Sequence, residues 1–417
     1  MDLPLYRTKG RALGVVFEHM NVLGATASAG GILDLPSLIL KVTKYPVELV
    51  LSTFSNRSVS SKHIVQDISG VLFPGETMLV LGRPGSGCST VLKALANNHA
   101  PFVEVQGRIS YGNISSDEMA RSFCSETVYA GEDDIHFPTL STKNTVEFGY
   151  TLRKPATQKQ SDSRFAAEQT QNMLSSLGIA HTKDTVVGDA FIRGVSGGER
   201  KRITLAEALS INSAYGSWDN PIRGLDSSSA TQFLRLLKNI SRQTGMSNCV
   251  SLYQASETMY QECFDRVMVL YDGQMIFCGK ADEAKEYFEN LGFECLGRQT
   301  TPDFLTAVTS PLERRIRPGY QSVPQDAESM AKAFRNSENY RRLNNDIASY
   351  YGQVAENVEY TQSFKEESQR IRSKLAVAKA IAPRSIFKQT YSAAIRYYQL
   401  LWGGSSYILH GPRFQCN

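Results

Sequence analysis

The run Gly82-Arg83-Pro84-Gly85-Ser86-Gly87-Cys88-Ser89-Thr90 decides how the rest of the chain is read. It follows an apolar segment, Thr77-Met78-Leu79-Val80-Leu81, and leads into Val91-Leu92-Lys93-Ala94-Leu95. Strand, glycine loop, helix is the order that the phosphate-binding pattern G-x-x-x-x-G-K-[ST] requires. Three glycines let the backbone turn its amides inward around phosphate oxygens. The following helix points its positive end at the same anion. Ser89 stands where the loop hydroxyl would ligand Mg²⁺. Cys88 stands where a lysine would reach the β- and γ-phosphates, and a neutral thiol cannot take that part. Taken alone, the run is also compatible with a glycine turn in an ordinary α/β domain.

Length and composition set the frame around this loop. At 417 residues the chain is long enough for one large domain or two to three average ones. Its 41% hydrophobic and 21% charged residues are those of an ordinary globular protein. A net charge of +4 gives no reason to expect a nucleic-acid partner. Seven cysteines are scattered without a C-x-x-C pair, which fits reduced thiols in a cytosolic setting rather than a zinc site. No run approaches the roughly 18 apolar residues of a membrane span. The start, Met1-Asp2-Leu3-Pro4, lacks the layout of a secretory signal. A soluble or peripheral protein is therefore expected.

Along the chain, Val15-Val16-Phe17 and Val65 to Phe73 read as strands, and Leu33 to Val42 is apolar but short. Further strands are expected at Val103 to Tyr111, Thr127 to Ala130, Cys249 to Tyr253 and Val267 to Tyr271. Asp272-Gly273 between two apolar runs is a hairpin signal. Helical patterning is expected from Thr142, from Ser163 to Leu177, from Glu199 to Leu209 and from Ser227 to Ile240. In the second of these, Phe165, Met173, Leu174 and Leu177 share a face. Strands alternating with helices predict an α/β domain to about residue 310. Beyond it, Pro311, Pro318, Gly319 and Pro324 mark a linker, and residues 328–380 read as polar helices with little apolar surface to bury. Ser385 to Trp402 is aromatic and basic, the composition of a helix lying on a membrane surface or of an ordinary packed helix.

The second strong signal is Gly194-Val195-Ser196-Gly197-Gly198-Glu199-Arg200-Lys201-Arg202. A serine and two glycines before a helix again expose amides and a hydroxyl to an anion. Read alone, Ser196 with Glu199 three residues later is also a capping box. Asp219 and then Arg223-Gly224-Leu225-Asp226 follow, and Ser251-Leu252-Tyr253-Gln254 closes another strand. Glycine loop, S-G-G-E, aspartate and strand end, in that order, resemble the nucleotide-binding domain of an ATP-binding cassette (ABC) transporter over roughly residues 50–310. G-R-P-G-S-G-C-S-T, G-V-S-G-G-E-R-K-R, W-D-N-P-I-R-G-L-D and T-S-P-L-E-R-R-I-R-P-G-Y narrow the likeness. They resemble the first such domain of fungal full-length pleiotropic drug resistance exporters of the ABCG type. That likeness extends through the linker to about residue 402.

The resemblance implies roles by position. Gly82, Arg83, Pro84, Gly85, Ser86, Gly87, Cys88, Ser89 and Thr90 would form the Walker A loop that binds ATP. Ser89 and Asp219, the Walker B carboxylate, would hold Mg²⁺, Asp219 directly or through water. Glu132 falls at the Q-loop glutamine. Val195, Ser196, Gly197, Gly198 and Glu199 match the signature that grips ATP on a partner domain, and Gly224, Leu225 and Asp226 the D-loop. Asn220 stands at the catalytic glutamate and Tyr253 at the switch histidine, so no intact catalytic set is expected in cis. Losing a cation at Cys88, a carboxylate at Asn220 and an imidazole at Tyr253 is expected to cripple phosphoryl transfer while leaving ATP–Mg²⁺ binding. In the resembled family the signature of such a domain serves the competent site in trans.

The domain division this implies is an N-terminal segment (1–50), an ABC nucleotide-binding domain with a helical signature subdomain (51–310), a linker with polar helices (311–380), and an amphipathic connecting helix with a truncated tail (381–417). Expected partners are a second nucleotide-binding domain and transmembrane domains, with membrane contact through those partners or through residues 385–402. The resembled proteins continue into a membrane domain, so a drug exporter cut short is the first reading. A free-standing soluble ABC-type regulator and a non-functional remnant are the alternatives. One local feature conflicts with the pattern: in Ala214-Tyr215-Gly216-Ser217-Trp218, Gly216 and Ser217 make a poor Walker B strand.

Overall fold

A computed structural model describes residues 12–25, 61–320, 322–356, 358–372 and 383–409. The apolar runs form ten strands of one sheet: β1 (Val15–Ala25), β2 (Ser61–Leu72), β3 (Thr77–Gly82), β4 (Glu104–Tyr111), β5 (Ile114–Ser115), β6 (Thr127–Ala130), β7 (Tyr215–Asp219), β8 (Ser247–Ser251), β9 (Arg266–Tyr271) and β10 (Gln274–Lys280). Their order across the sheet is β5-β4-β1-β2-β10-β9-β3-β8-β7-β6. The glycine loop therefore leaves a strand, β3, that is parallel to both its neighbours, β8 and β9. All six β3 residues are buried, as a parallel strand covered on both faces requires. β6, β7 and β8 continue the parallel half. β1, β2 and β4 form an antiparallel wing, with β1 between the other two. The strand expected at Val15 thus runs to Ala25 and belongs to the main sheet.

Helices cover the sheet as the sequence pattern predicts. The helix Ser227–Thr244 buries Phe233, Leu234, Leu237 and Ile240 and is capped by Asp226, whose carboxylate accepts Ser229 N at 2.9 Å. The helices Thr142–Arg153, Asp162–Ser176 and Gly197–Ser210 pack on one another. Phe165, Met173, Leu174 and Leu177 are all buried, and the last three join the core cluster of the sheet while Phe165, on the opposite side of the helix from Leu174, does not. Asp272 and Gly273 take φ values of 44° and 78°, and β9 and β10 pair antiparallel across them. Two positive values in a two-residue loop are the mark of a hairpin turn whose twist matches the strands.

Two expectations are corrected. Tyr215–Asp219 is a sound, fully buried strand. Gly216 is needed because a Cβ there would lie 2.6 Å from Asn248 Oδ1, 2.7 Å from Met246 Cε and 2.8 Å from Trp218 Nε1. Its bareness lets Trp218 donate to Asn248 Oδ1 at 2.7 Å and stack edge-on against Phe233. Ser217 is satisfied by the Tyr215 hydroxyl at 3.1 Å. Polarity at these positions is absorbed by partners rather than by water.

The second correction concerns residues 328–380. The helices Ala327–Arg335, Glu338–Glu356 and Val358–Ile371 bury Met330, Ala331, Phe334, Leu343, Ile347, Tyr350 and Phe364. All of these except Ala331 join the core cluster of the sheet. Arg266 on β9, 3% exposed as a side chain, bonds Glu76 and Asp346 at 2.8 Å each and so ties the helix Glu338–Glu356 to the sheet. Tyr350 accepts Gly112 N at 3.0 Å. Widely spaced apolar residues on long polar helices hid this surface from a count of composition.

The helix Ile386–Leu409 docks by its cations: Arg384 just before it and Lys388 pair with Asp162, and Arg396 lies over the Phe148 ring at 4.2 Å. Phe387, Tyr391, Tyr397, Tyr398 and Trp402 remain exposed. Among the described residues no helix is long and apolar enough to cross a membrane. Leu33 to Val42 and the tail after Leu409 lie outside the described residues.

Gly216→Ala is expected to destabilise the chain by about 1–3 kcal/mol, the usual range for overpacking a full core. Chemical denaturation followed by tryptophan fluorescence measures it, and an unchanged midpoint would contradict the packing described.

Candidate functional site

The glycine loop is built on a turn in which Ser86 N donates to Arg83 O at 2.9 Å. Pro84 and Gly85 are its two central residues, and Gly85 has φ 90°. Proline second and a positive-φ glycine third define a type II turn. A Cβ on Gly85 would meet nothing within 4 Å, so the apex faces open space. Gly87 caps the helix Cys88–Leu95 without any side-chain hydrogen bond. The first amides of that helix are thus left for a ligand. Ser86 Oγ is buried without a partner. An open apex and unclaimed donors at a helix N-terminus fit a phosphate.

Cys88 starts this helix, and its Sγ is 3.1 Å from where a Cβ on Gly82 would sit. Burial of the thiol, and secondarily the nearby Asp219 charge, push its pKa from 9.0 up to about 12. The group is neutral near pH 7 and adds no positive charge to the loop. Its folded pKa is raised, so the stability it contributes is complete below about pH 9 and is lost as pH rises toward 12.

Asp219 ends β7 and is 5% exposed. Its Oδ2 accepts the Tyr129 hydroxyl at 2.8 Å and its Oδ1 accepts Ser251 Oγ at 2.7 Å. Tyr129 lies on β6 and Ser251 ends β8, so one carboxylate joins the ends of three parallel strands. Each oxygen keeps a lone pair, which fits a cation held directly or through water. Lys93 Nζ stands 5.5 Å from the Tyr129 ring centroid.

Beyond Asp219 the chain turns. Asn220 adopts φ 45°, a region asparagine tolerates. Its amide donates to Ser251 O and to Ser251 Oγ, both at 3.1 Å. Its side-chain Nδ2 donates to Glu132 Oε1 at 3.0 Å, and Arg223 NH1 donates to the same oxygen at 2.9 Å. Asn220, Glu132, Arg223, Gly224, Leu225 and Tyr253 line one cleft of about 800 Å³. Tyr253 is 47% exposed there, and partial burial followed by the Glu132 charge raises its phenol pKa. The phenol stays protonated and cannot act as a base near neutral pH.

The S-G-G-E turn lies elsewhere. Ser196 caps the helix Gly197–Ser210, accepting Glu199 N at 3.3 Å while Glu199 Oε2 accepts Ser196 N at 2.8 Å. The capping box expected from sequence is thus present, and Ser196 and Gly197 are still exposed. A Cβ on Gly197 would meet nothing within 4 Å, and one on Gly198 would lie 3.6 Å from Gly224 O. The turn therefore borders Gly224-Leu225, whereas the glycine loop borders β2 and the β9–β10 hairpin through Gly87. Different elements flank the signature and the glycine loop. Tyr129, Ser251, Arg223 and Lys201 stand in stretches singled out from the sequence but receive no role there; only their places at strand ends or beside the motifs could have signalled one.

Comparison with known proteins bears on this arrangement. Residues 65–223 match the family described as ABC transporter. The chain is 37% identical over 400 residues to ABC multidrug transporter C of Aspergillus fumigatus, covering 95% of this chain and 26% of that protein. It is 38% identical over 400 residues to ABC multidrug transporter atrG of Aspergillus oryzae, with the same coverage of each. It is 37% identical over 406 residues to ZEB2-regulated ABC transporter 1 of Gibberella zeae, covering 96% of this chain and 26% of that protein. The chain thus spans about a quarter of the length of these relatives.

With its pKa raised toward 12 from 9.0, Cys88 should be alkylated at pH 8 about ten- to a hundredfold more slowly than an ordinary thiol, its lower thiolate fraction being partly offset by a more nucleophilic thiolate. Peptide-resolved mass spectrometry after iodoacetamide should show this, with the rate rising about tenfold per pH unit toward pH 11. Ordinary reactivity at pH 8 would contradict the raised pKa of this half-buried thiol.

Proposed function

This chain carries an ABC transporter nucleotide-binding domain, similar to those of fungal multidrug transporters, and on that premise we propose that it holds ATP–Mg²⁺ with negligible turnover of its own. The reading takes it as the first nucleotide-binding domain of a pleiotropic drug resistance exporter of drugs or secondary metabolites. Gly82 to Thr90 and Glu132 would hold ATP, and Ser89 and Asp219 would hold Mg²⁺. The bound metal would supply charge neutralisation at the phosphates.

One observation carries the reading: the residue that starts the loop helix at the lysine position is a half-buried thiol, which brings no positive charge to the phosphates. Around it, Asn220 offers an amide already engaged with Glu132, and Tyr253 a phenol that stays protonated. Binding needs the loop amides and helix end, and Gly87 leaves the first amides of the helix uncapped. Hydrolysis needs a cation, a base and an oriented water, and none of these three residues supplies them.

Ser196 to Glu199 would then act in trans, closing on nucleotide held by a second nucleotide-binding domain. The exposure of Ser196 and Gly197 supports this, because a turn already covered within its own chain is closed to a partner. Transmembrane domains would complete the exporter at the cytoplasmic face of a membrane. Membrane contact would come through those domains or through residues 385–402, where Phe387, Tyr391 and Trp402 are exposed.

The purified chain is expected to bind a fluorescent ATP analogue in a Mg²⁺-dependent manner that Asp219→Ala abolishes. Phosphate release should be at least about a thousandfold below that of a competent cassette. Robust turnover lost in Asp219→Ala would overturn the reading. Assembled with a competent second domain, Ser196→Arg should block ATPase, and an unchanged rate would refute the action in trans.

A further inference from the structure

Glu132 is held by three groups of unequal strength. Its carbonyl accepts Lys201 Nζ at 2.6 Å, and the same ammonium pairs with Asp134 at 2.8 Å. The Lys201 side chain is 3% exposed and sits on the helix Gly197–Ser210. A buried ammonium does not give up its partners cheaply. The carboxylate of Glu132 instead accepts the neutral Asn220 amide at 3.0 Å and, on the same oxygen, Arg223, whose side chain is 62% exposed. A pair so open to water is weak and readily exchanged. One end of Glu132 is an anchor and the other a latch.

The latch leads to the signature. Arg223 is followed by Gly224 and Leu225, and a Cβ on Gly198 would lie 3.6 Å from Gly224 O and 3.7 Å from Leu225 Cδ2. We infer that Arg223 is a positioning residue: it fastens the 222–226 turn to Glu132, and its release loosens that turn and the Gly198 turn beside it. Lys201 meanwhile keeps the Glu132 backbone attached to the signature helix. Among the described residues Arg223 is the only basic side chain lining the cleft. Phosphate oxygens entering there compete with Glu132 for its guanidinium, and this last step alone rests on the nucleotide-binding reading.

Hydrogen exchange by mass spectrometry on the full chain tests the latch. Arg223→Ala should speed exchange of a peptide covering 222–226 about two- to fivefold. A smaller rise is expected at 197–199, with the helix Thr142–Arg153 unchanged. Glu132→Ala should do the same, and the double variant should exchange no faster than Glu132→Ala. Wild-type rates in Arg223→Ala, or effects that simply add, would overturn the inference. Saturating MgATP should speed the 222–226 peptide of wild type but not that of Arg223→Ala. Binding of MgATP without that change would refute nucleotide control of the latch. Failure of MgATP to bind would remove the nucleotide reading, with the variants without nucleotide still deciding the latch.

Discussion

The hydrogen bonds that converge on Asp219 set the geometry of everything around the site. Tyr129 from β6 and Ser251 from β8 donate to its two oxygens, and the amide of Asn220 returns to Ser251. The C-terminal ends of three parallel strands are therefore fixed to one another in a place where an unpaired carboxylate would be costly. Ligands of open α/β sheets bind at such strand ends. The glycine loop leaves β3, the next strand along, so its distance from this carboxylate is fixed by sheet spacing and not by the loop.

Charge around this centre is arranged in an uneven way. Cys88 is neutral, and the acidic groups Asp219 and Glu132 are answered by donors from Tyr129, Ser251, Asn220 and Arg223. The carboxylates of this site are thus engaged by protein donors, and the position where a lysine would reach the phosphates carries no charge. That is a coherent state for holding a ligand by amides and a helix end, which add no formal charge. On the function proposed here, the same arrangement would stabilise poorly the charge that develops during phosphoryl transfer.

The same sheet organises the parts farther from the site. Arg266 on β9 reaches Glu76 before β3 and Asp346 on the helix Glu338–Glu356, so residues beyond the hairpin share the core of the loop strand. The helix Ile386–Leu409 is attached differently, through Arg384, Lys388 and Arg396 to Asp162 and Phe148, and keeps its aromatic side bare. Packing that is ionic and one-sided leaves such a helix free to meet a further surface.

Sequence alone determined the parts whose signal is local. The β3–glycine loop–helix order, the Ser196–Glu199 capping box, the Asp272-Gly273 hairpin and the burial of Met173, Leu174 and Leu177 all depend on neighbours a few residues away. Turn chemistry and periodicity suffice for these. Only the tertiary structure decided the rest. Gly216 and Ser217 looked unfit for a strand until Trp218, Asn248 and Tyr215 were seen to claim the space and the hydroxyl. The helices after residue 326 looked solvated until Phe334, Tyr350 and Phe364 were seen in the core. Glu132 gained its meaning from Asn220 and Arg223, 88 and 91 positions away. Such contacts join strand ends and loops that are close only after the sheet has formed, and no spacing along the chain encodes them.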